Sequence, residues 1–224
     1  MNKQMQYQAL QSQINPHFLY NTLDSIRGEA LMVGNDSIAI MTERLSKFFR
    51  YCISNKGNIA TIRDEINNVM DYFYIQEYRF GDKFHLETEV DEGCDQYKLP
   101  QMTLQPIVEN AIFHGLERKK DGGTVSIKVF ETQKNIKIQV SDNGVGMSEE
   151  DLYEINKNLR RTEEELSQKI QNDNSQKTGI ALQNVNERIR IHYGNDYGIT
   201  VHSTKYLGTD VMILIPKVNE NEQI

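Results

Sequence analysis

The chain has 224 residues, 38% hydrophobic and 25% charged, with a formal net charge of −7, which suits one large or two small domains with real cores and argues against non-specific nucleic-acid binding. Its two cysteines, Cys52 and Cys94, lie far apart with no CxxC pair, so they suggest a reducing compartment and no disulfide framework. No apolar run has membrane-helix length and the start, Met1 to Gln6, lacks a signal-peptide core, so the chain as given reads as soluble and cytoplasmic.

Residues 4–33 read as helix, with apolar side chains at Leu10, Ile14, Leu19, Leu23 and Ile26. Pro16 falls inside it, denies the Ser12 carbonyl its helical partner and predicts a kink. His17 follows at once, with Asn21 one turn further along the same face. A histidine in that position serves packing, metal binding or nucleophilic attack. Gly34-Asn35-Asp36 predicts a tight turn with Asn35, Asp36 or Ser37 as N-cap. Ile38, Met41, Leu45, Phe48 and Cys52 then follow a 3-4-3-4 spacing, widened by Phe49, which predicts a bundle seam. Two helices so closely joined form an antiparallel hairpin, and dimerisation into four helices completes its burial.

Asn55 to Asn58 break the second helix. Thr61 opens a third as N-cap, with Asp64 in the capping-box position, and it runs through Tyr72, Gln76 and Arg79 to Gly81. Alternation at Phe84, Leu86, Thr88 and Val90 predicts a strand. Beyond it the pattern predicts a helix over 101–116, strands over 124–131 and 135–142, a charge-rich helical stretch over 148–170, a helix over 179–193 and strands over 197–204 and 209–216. The polar segment 171–177 reads as loop. The fold class is α+β: a helical hairpin that dimerises to a four-helix bundle, then an α/β sandwich with a mixed sheet. The expected divisions are a hairpin over 1–60, a connecting helix over 61–80, a second domain over 81–218 and a tail over 219–224.

Four short motifs in the second domain carry chemistry. Asp142-Asn143-Gly144-Val145-Gly146 ends the strand of Ile136, Ile138 and Val140; its glycines permit a sharp turn close to a flat ligand, and the aspartate can accept from an exocyclic amine. Turn chemistry alone also explains it. Glu109-Asn110-Ala111-Ile112-Phe113-His114-Gly115 puts two polar residues on an apolar helix face. An Asn amide oxygen is a hard ligand suited to Mg²⁺ beside a nucleotide, while helix capping by His114 and Gly115 is the plainer reading. Thr178-Gly179-Ile180-Ala181-Leu182 opens a helix whose free amides suit phosphate, with Arg188 downstream as a source of charge. Gly208-Thr209 precedes the last strand and is weakest, since a hairpin glycine explains it. The remaining histidines, His85, His114, His192 and His202, have no ligand spacing.

In order and spacing, these four motifs resemble the N, G1, G2 and G3 boxes of the Bergerat-fold ATP-binding superfamily, which includes gyrase, mismatch-repair ATPases, a heat-shock chaperone and histidine kinases. The segments Pro16 to Leu23, Leu45 to Tyr51, Gln76 to Phe80 and Leu104 to Ala111 are similar to one subgroup, the LytS/YesM-like two-component sensor histidine kinases. The resemblance spans residues 8–217. It implies that His17 is the phosphoacceptor, with Asn21 as its polar neighbour. Asn110 would hold Mg²⁺ with ATP and Asp142 would read the adenine amine. Gly144, Gly146 and Gly179 would let the backbone approach the nucleotide, with His114, Thr178, Leu182, Arg188 and Thr209 as further nucleotide-site residues. The segment between Met147 and Gly179 would act as a lid.

Two departures stand out. Ala181 replaces the usual second glycine of the G2 box, which narrows the phosphate approach. Pro106 stands where the gyrase-like ATPases carry a water-activating carboxylate, which favours transfer to a protein nucleophile. The resemblance therefore implies ATP-dependent autophosphorylation on His17 and transfer to an aspartate of a response regulator, by a homodimer that forms the cytosolic portion of a membrane sensor kinase and does not itself bind nucleic acid. The alternatives are a Bergerat-fold ATPase that drives clamp closure, and a non-catalytic dimeric scaffold with a decayed nucleotide site.

Overall fold

The computed structural model describes residues 16–53, 59–81, 83–160 and 179–217. Helices α1 (Pro16–Met32) and α2 (Asp36–Ile53) form the expected hairpin. Asn35 is the cap that the turn needed: its side-chain oxygen accepts from the Ile38 N–H at 3.2 Å, and its own N–H donates to the Ala30 carbonyl at 2.8 Å. The expected kink at Pro16 involves residues 4–15, which lie outside the described residues.

The seam of α2 differs from the expected one. Its buried residues are Ala39, Thr42 and Ser46, whereas Ile38, Met41, Leu45, Phe48 and Cys52 are half-buried. The reason is that α2 packs against two helices, α1 on one side and α3 (Ile62–Phe80) on the other. Small side chains sit where the backbones come closest, and the larger ones flank the contact. The α2–α3 contact includes an Arg44–Asp71 ion pair at 2.6 Å.

Strand β1 (Ile59–Thr61) leads into α3 and pairs antiparallel with β3 (Lys98–Pro100). Neither three-residue strand has enough length for alternation to reveal it. The capping box of α3 forms as expected: the Asp64 N–H donates to Thr61 Oγ1 and the Thr61 N–H to Asp64 Oδ2, both at 3.1 Å. The helix is no loose connector. Ile62, Ile66, Val69, Tyr72 and Phe73 enter the same core as Leu104, Ile107, Ile112 and the main sheet.

That sheet has five strands in the order β2 (Phe84–Val90), β4 (Gly123–Glu131), β5 (Asn135–Asp142), β7 (Gly208–Pro216), β6 (Gly198–Thr204). The β2–β4 pair is parallel and the others are antiparallel, which gives the mixed sheet expected. Alternation places Val125, Ile127, Val129, Ile136, Ile138, Val140, Val211, Ile213 and Ile215 on one buried face. Fully burying one such side chain contributes about 1.5–3 kcal/mol. Continuing the same parity, Asp142 and Thr209 stand opposite each other at the end of this stripe. Helices α4 (Leu104–Asn110), α5 (Glu149–Arg160) and α6 (Ile180–Tyr193) accompany the sheet. The expected helix over 148–170 is described only to Arg160, and the expected loop at 171–177 lies outside the described residues. Among the described residues, no helix is long and apolar enough to cross a membrane.

Candidate functional site

A cavity of about 870 Å³ opens between the ends of β5 and β7, helix α4, α5 and the start of α6. Ile107, Ala111, Val140, Ile155, Leu182 and Val211 supply apolar wall, while Asn110, His114, Arg118, Asp142, Lys205 and Thr209 supply polar groups. The cavity thus gathers seven of the expected nucleotide residues, Asn110, His114, Asp142, Gly146, Gly179, Leu182 and Thr209, from segments distant in sequence. Ala181 lines it too. Thr178 lies outside the described residues.

Asp142 sits at the mouth of the apolar stripe. Its Oδ1 accepts from the Gly144 N–H at 2.8 Å. Burial pushes its carboxyl up to about 6, against the pull of the Gly144 and Thr209 N–H groups; nearby Asp210 pushes it further up and Lys119 draws it down. It remains mostly ionised at neutral pH and can accept a hydrogen bond from an amine.

Gly144 does not line the cavity. A Cβ there would overlap the backbone of Gly115, and a Cβ on Gly115 would lie 2.7 Å from Asp142 Oδ1. The two glycines therefore let two backbone segments close around the carboxylate. The loop after β5 is stitched on both sides: the Val145 N–H donates to the Gly115 carbonyl at 3.2 Å, and the Tyr206 N–H donates to the Val145 carbonyl at 2.6 Å.

Asn110 closes the α-helical part of α4, which continues as a π-helical turn over Ala111–Leu116. Such turns are rare and concentrate at functional sites. Pro106 is the third residue of α4, among N–H positions without an intrahelical partner, so its missing hydrogen costs the helix little. Glu109 is not among the cavity-lining residues; its carboxylate accepts from Gln105 at 3.0 Å, and Gln105 in turn accepts from Asn68 at 3.2 Å.

Arg188 is also elsewhere. Its guanidinium donates to the carbonyls of Gln101 and Met102 at 2.8 and 2.7 Å, in the turn that precedes α4. The same turn holds the residue that the sequence reading missed. Glu65 is fully buried and accepts from the N–H groups of Met102, Thr103 and Leu104 at 2.6, 2.8 and 2.7 Å, and from the Tyr51 hydroxyl. A signal was there: Glu65 falls on the apolar stripe of Ile62, Ile66, Val69 and Phe73.

His17 and Asn21 lie on the exposed side of α1 and do not line the cavity. The Asn21 amide is 3.1 Å from His17 Nδ1, the near-ring contact expected from one-turn spacing. Among the described residues there is no group of three His, Cys, Asp or Glu side chains able to hold a metal.

Two family models match the chain: the histidine kinase model over residues 5–84, and the histidine kinase-, DNA gyrase B-, and HSP90-like ATPase model over residues 95–219. The sensor histidine kinase YesM of Bacillus subtilis is 34% identical across 97% of this chain and 34% of the relative. LytS of Bacillus cereus is 30% identical across 96% of this chain and 35% of the relative. BtsS of Escherichia coli K12 is 29% identical across 96% and 34%. The chain spans about a third of the length of these curated relatives. The solved catalytic domain of histidine kinase ThkA shares the fold at a TM-score of 0.50 and 13% identity, covering 72% of this chain and 97% of that one. The chain belongs to the histidine kinase-, DNA gyrase B-, and HSP90-like ATPase family.

Proposed function

We propose that this chain is an ATP-dependent protein-histidine kinase that phosphorylates its own His17 and passes the phosphoryl group to an aspartate of a response regulator. One observation carries the reading: Asn110 and Asp142, from distant segments, share one cavity of nucleotide size with apolar wall between them. The fit is chemical as well as volumetric. The buried, largely ionised Asp142 suits an exocyclic amine, and the Asn110 amide oxygen suits a hard cation. When bound, Mg²⁺ on Asn110 would offset phosphate charge.

The remaining work falls to the chain's own residues. Arg118 and Lys205 at the cavity rim supply positive charge for the phosphates. The neutral His17 imidazole supplies the electron pair for a new N–P bond, while the bond from the γ-phosphorus to its bridging oxygen breaks and ADP leaves with that pair. The Asn21 side-chain N–H₂ donates to His17 Nδ1 at 3.1 Å and orients the ring on the exposed face of α1. Among the described residues, none of the hairpin lines the cavity, so delivery needs the cavity and an α1 helix to approach each other.

A homodimer is the working unit in this reading. Phe18 and Ile26 on α1 and Ile40 on α2 are 70%, 45% and 42% exposed, an apolar surface that a second hairpin would cover. The chain would form the cytosolic part of a longer membrane sensor.

Incubation with γ-labelled ATP and Mg²⁺ tests the reading. Acid-labile, base-stable label on the protein, lost in His17→Ala, is expected. Free phosphate without labelled protein would mean a clamp-type ATPase, and neither product would mean a scaffold.

A further inference from the structure

We propose that Tyr51 and Glu65 are positioning residues for phosphoryl transfer: the Glu65 carboxylate fixes the helix that carries Asn110, and by sharing that carboxylate Tyr51 fastens the His17 hairpin to the same point. The proposal rests on the kinase reading above.

Glu65 is a buried carboxyl group that the chemistry of the cavity does not use. Met102 N–H and the Tyr51 hydroxyl donate to Oε1, and Thr103 and Leu104 N–H donate to Oε2. Burial holds the Glu65 carboxyl above the usual carboxylate range, against the pull of the Tyr51 hydroxyl and the Leu104, Met102 and Thr103 N–H groups toward the ionised form. By accepting from the N–H groups that lead into α4, it caps that helix from another one. The turn so held is fixed from its carbonyl side as well, since Arg188 takes the Gln101 and Met102 carbonyls. Between these clamps Met102 keeps a left-handed backbone, φ 64°, that a non-glycine side chain rarely adopts without such over-determination.

The hairpin joins the same turn at one end of α2. Besides the Tyr51 hydroxyl on Glu65, the Gln101 amide donates to the Tyr51 carbonyl at 2.6 Å, and the Cys52 thiol lies 3.8 Å from the Met102 sulfur. In an antiparallel hairpin this is the end beside His17, where the Tyr20 hydroxyl reaches the Phe49 carbonyl at 3.4 Å. The attachment is therefore a pivot between the phosphoacceptor end of the hairpin and the start of the Asn110 helix. Losing the phenol hydroxyl removes the hairpin's bond to Glu65 and loosens this attachment without touching the cavity. Losing the carboxylate also loosens α4.

The test uses the full chain with Tyr51→Phe, Glu65→Gln and the double variant. Three quantities are read: labelling kcat and KM, affinity for a non-hydrolysable ATP analogue with Mg²⁺, and amide exchange at Met102 to Leu104. Tyr51→Phe should lower kcat on the order of tenfold, the upper worth of one buried hydrogen bond, with analogue affinity unchanged within about twofold. Glu65→Gln should also weaken the analogue and speed exchange at all three amides. The double variant should label no more slowly than Glu65→Gln alone. An unchanged kcat in Tyr51→Phe, or losses that multiply in the double variant, would overturn the proposal. Absence of labelling in the parent chain would instead sink the kinase reading, and analogue affinity and exchange would still judge the role of Glu65. Should Glu65→Gln not fold, the Tyr51→Phe split of kcat from affinity decides.

Discussion

Asp142 should make the nucleotide-free protein less stable than it need be. Burial has pushed its carboxyl from 3.8 up to about 6, a difference of roughly 2 units, or about 3 kcal/mol at ~1.36 kcal/mol per unit. The sign follows from proton binding. Below pH ~4 the group is protonated in folded and unfolded chains alike, and no penalty exists. Between there and about 6 the unfolded chain releases its proton first, so stability falls as pH rises; above that the full penalty stands. Asp142→Asn keeps an oxygen for the Gly144 N–H, now 2.8 Å away, and carries no charge. Part of the group faces solvent, which lowers the net gain to about 1–3 kcal/mol, a Tm rise of roughly 3–10 °C in a chain of this size. Thermal melts of both proteins without nucleotide, from pH 4 to 8, should show the gap opening across pH 4–6 and then levelling. The same variant should lose at least about tenfold in affinity for an ATP analogue, since an acceptor for the amine becomes an ambiguous amide. A gap that stays constant or closes as pH rises would refute the account of the burial.

Three further outcomes follow from the same geometry. Gly115→Ala would drive a methyl to 2.7 Å from Asp142 Oδ1; analogue affinity should drop by about tenfold or more while far-UV circular dichroism stays native. Tyr206 holds a left-handed backbone, φ 69°, with its side chain 76% exposed, so Tyr206→Gly should raise stability by about 0.5–1 kcal/mol in denaturant melts. Ile26→Asp with Ile40→Asp puts charge on hairpin positions that are 45% and 42% exposed; light scattering should register a dimer for the parent and a monomer for the variant.

Much of this was legible in the chain because it is local. The Thr61–Asp64 capping box needs only a three-residue spacing, and it forms. The stripe Ile136, Ile138, Val140 predicts β5 to its ends at Asn135 and Asp142, and its parity alone puts Asp142 on the buried face. The cavity residues were readable as motifs because each motif is short and continuous. What stayed hidden depends on partners far along the chain. Arg188 has the same charge whether it meets phosphate or the Gln101 carbonyl 87 positions away. The 3-4-3-4 spacing on α2 predicted a seam of large residues; packing between α1 and α3 instead buries Ala39, Thr42 and Ser46. Glu65, in the first turn of α3, fits the ordinary preference of acids for that turn, which masked its service to another helix.

The clamp on residues 101–104 has a mechanical corollary. Helix α4 is stiff at its leading end, where both the N–H and the carbonyl groups of the turn are held by side chains. Its trailing end is the wide-turned stretch Ala111–Leu116, with a less regular ladder. Any shift of Asn110 must therefore be taken up downstream, so that this segment acts as the compliant joint and carries the displacement directly to Gly115 and the carboxylate it shields.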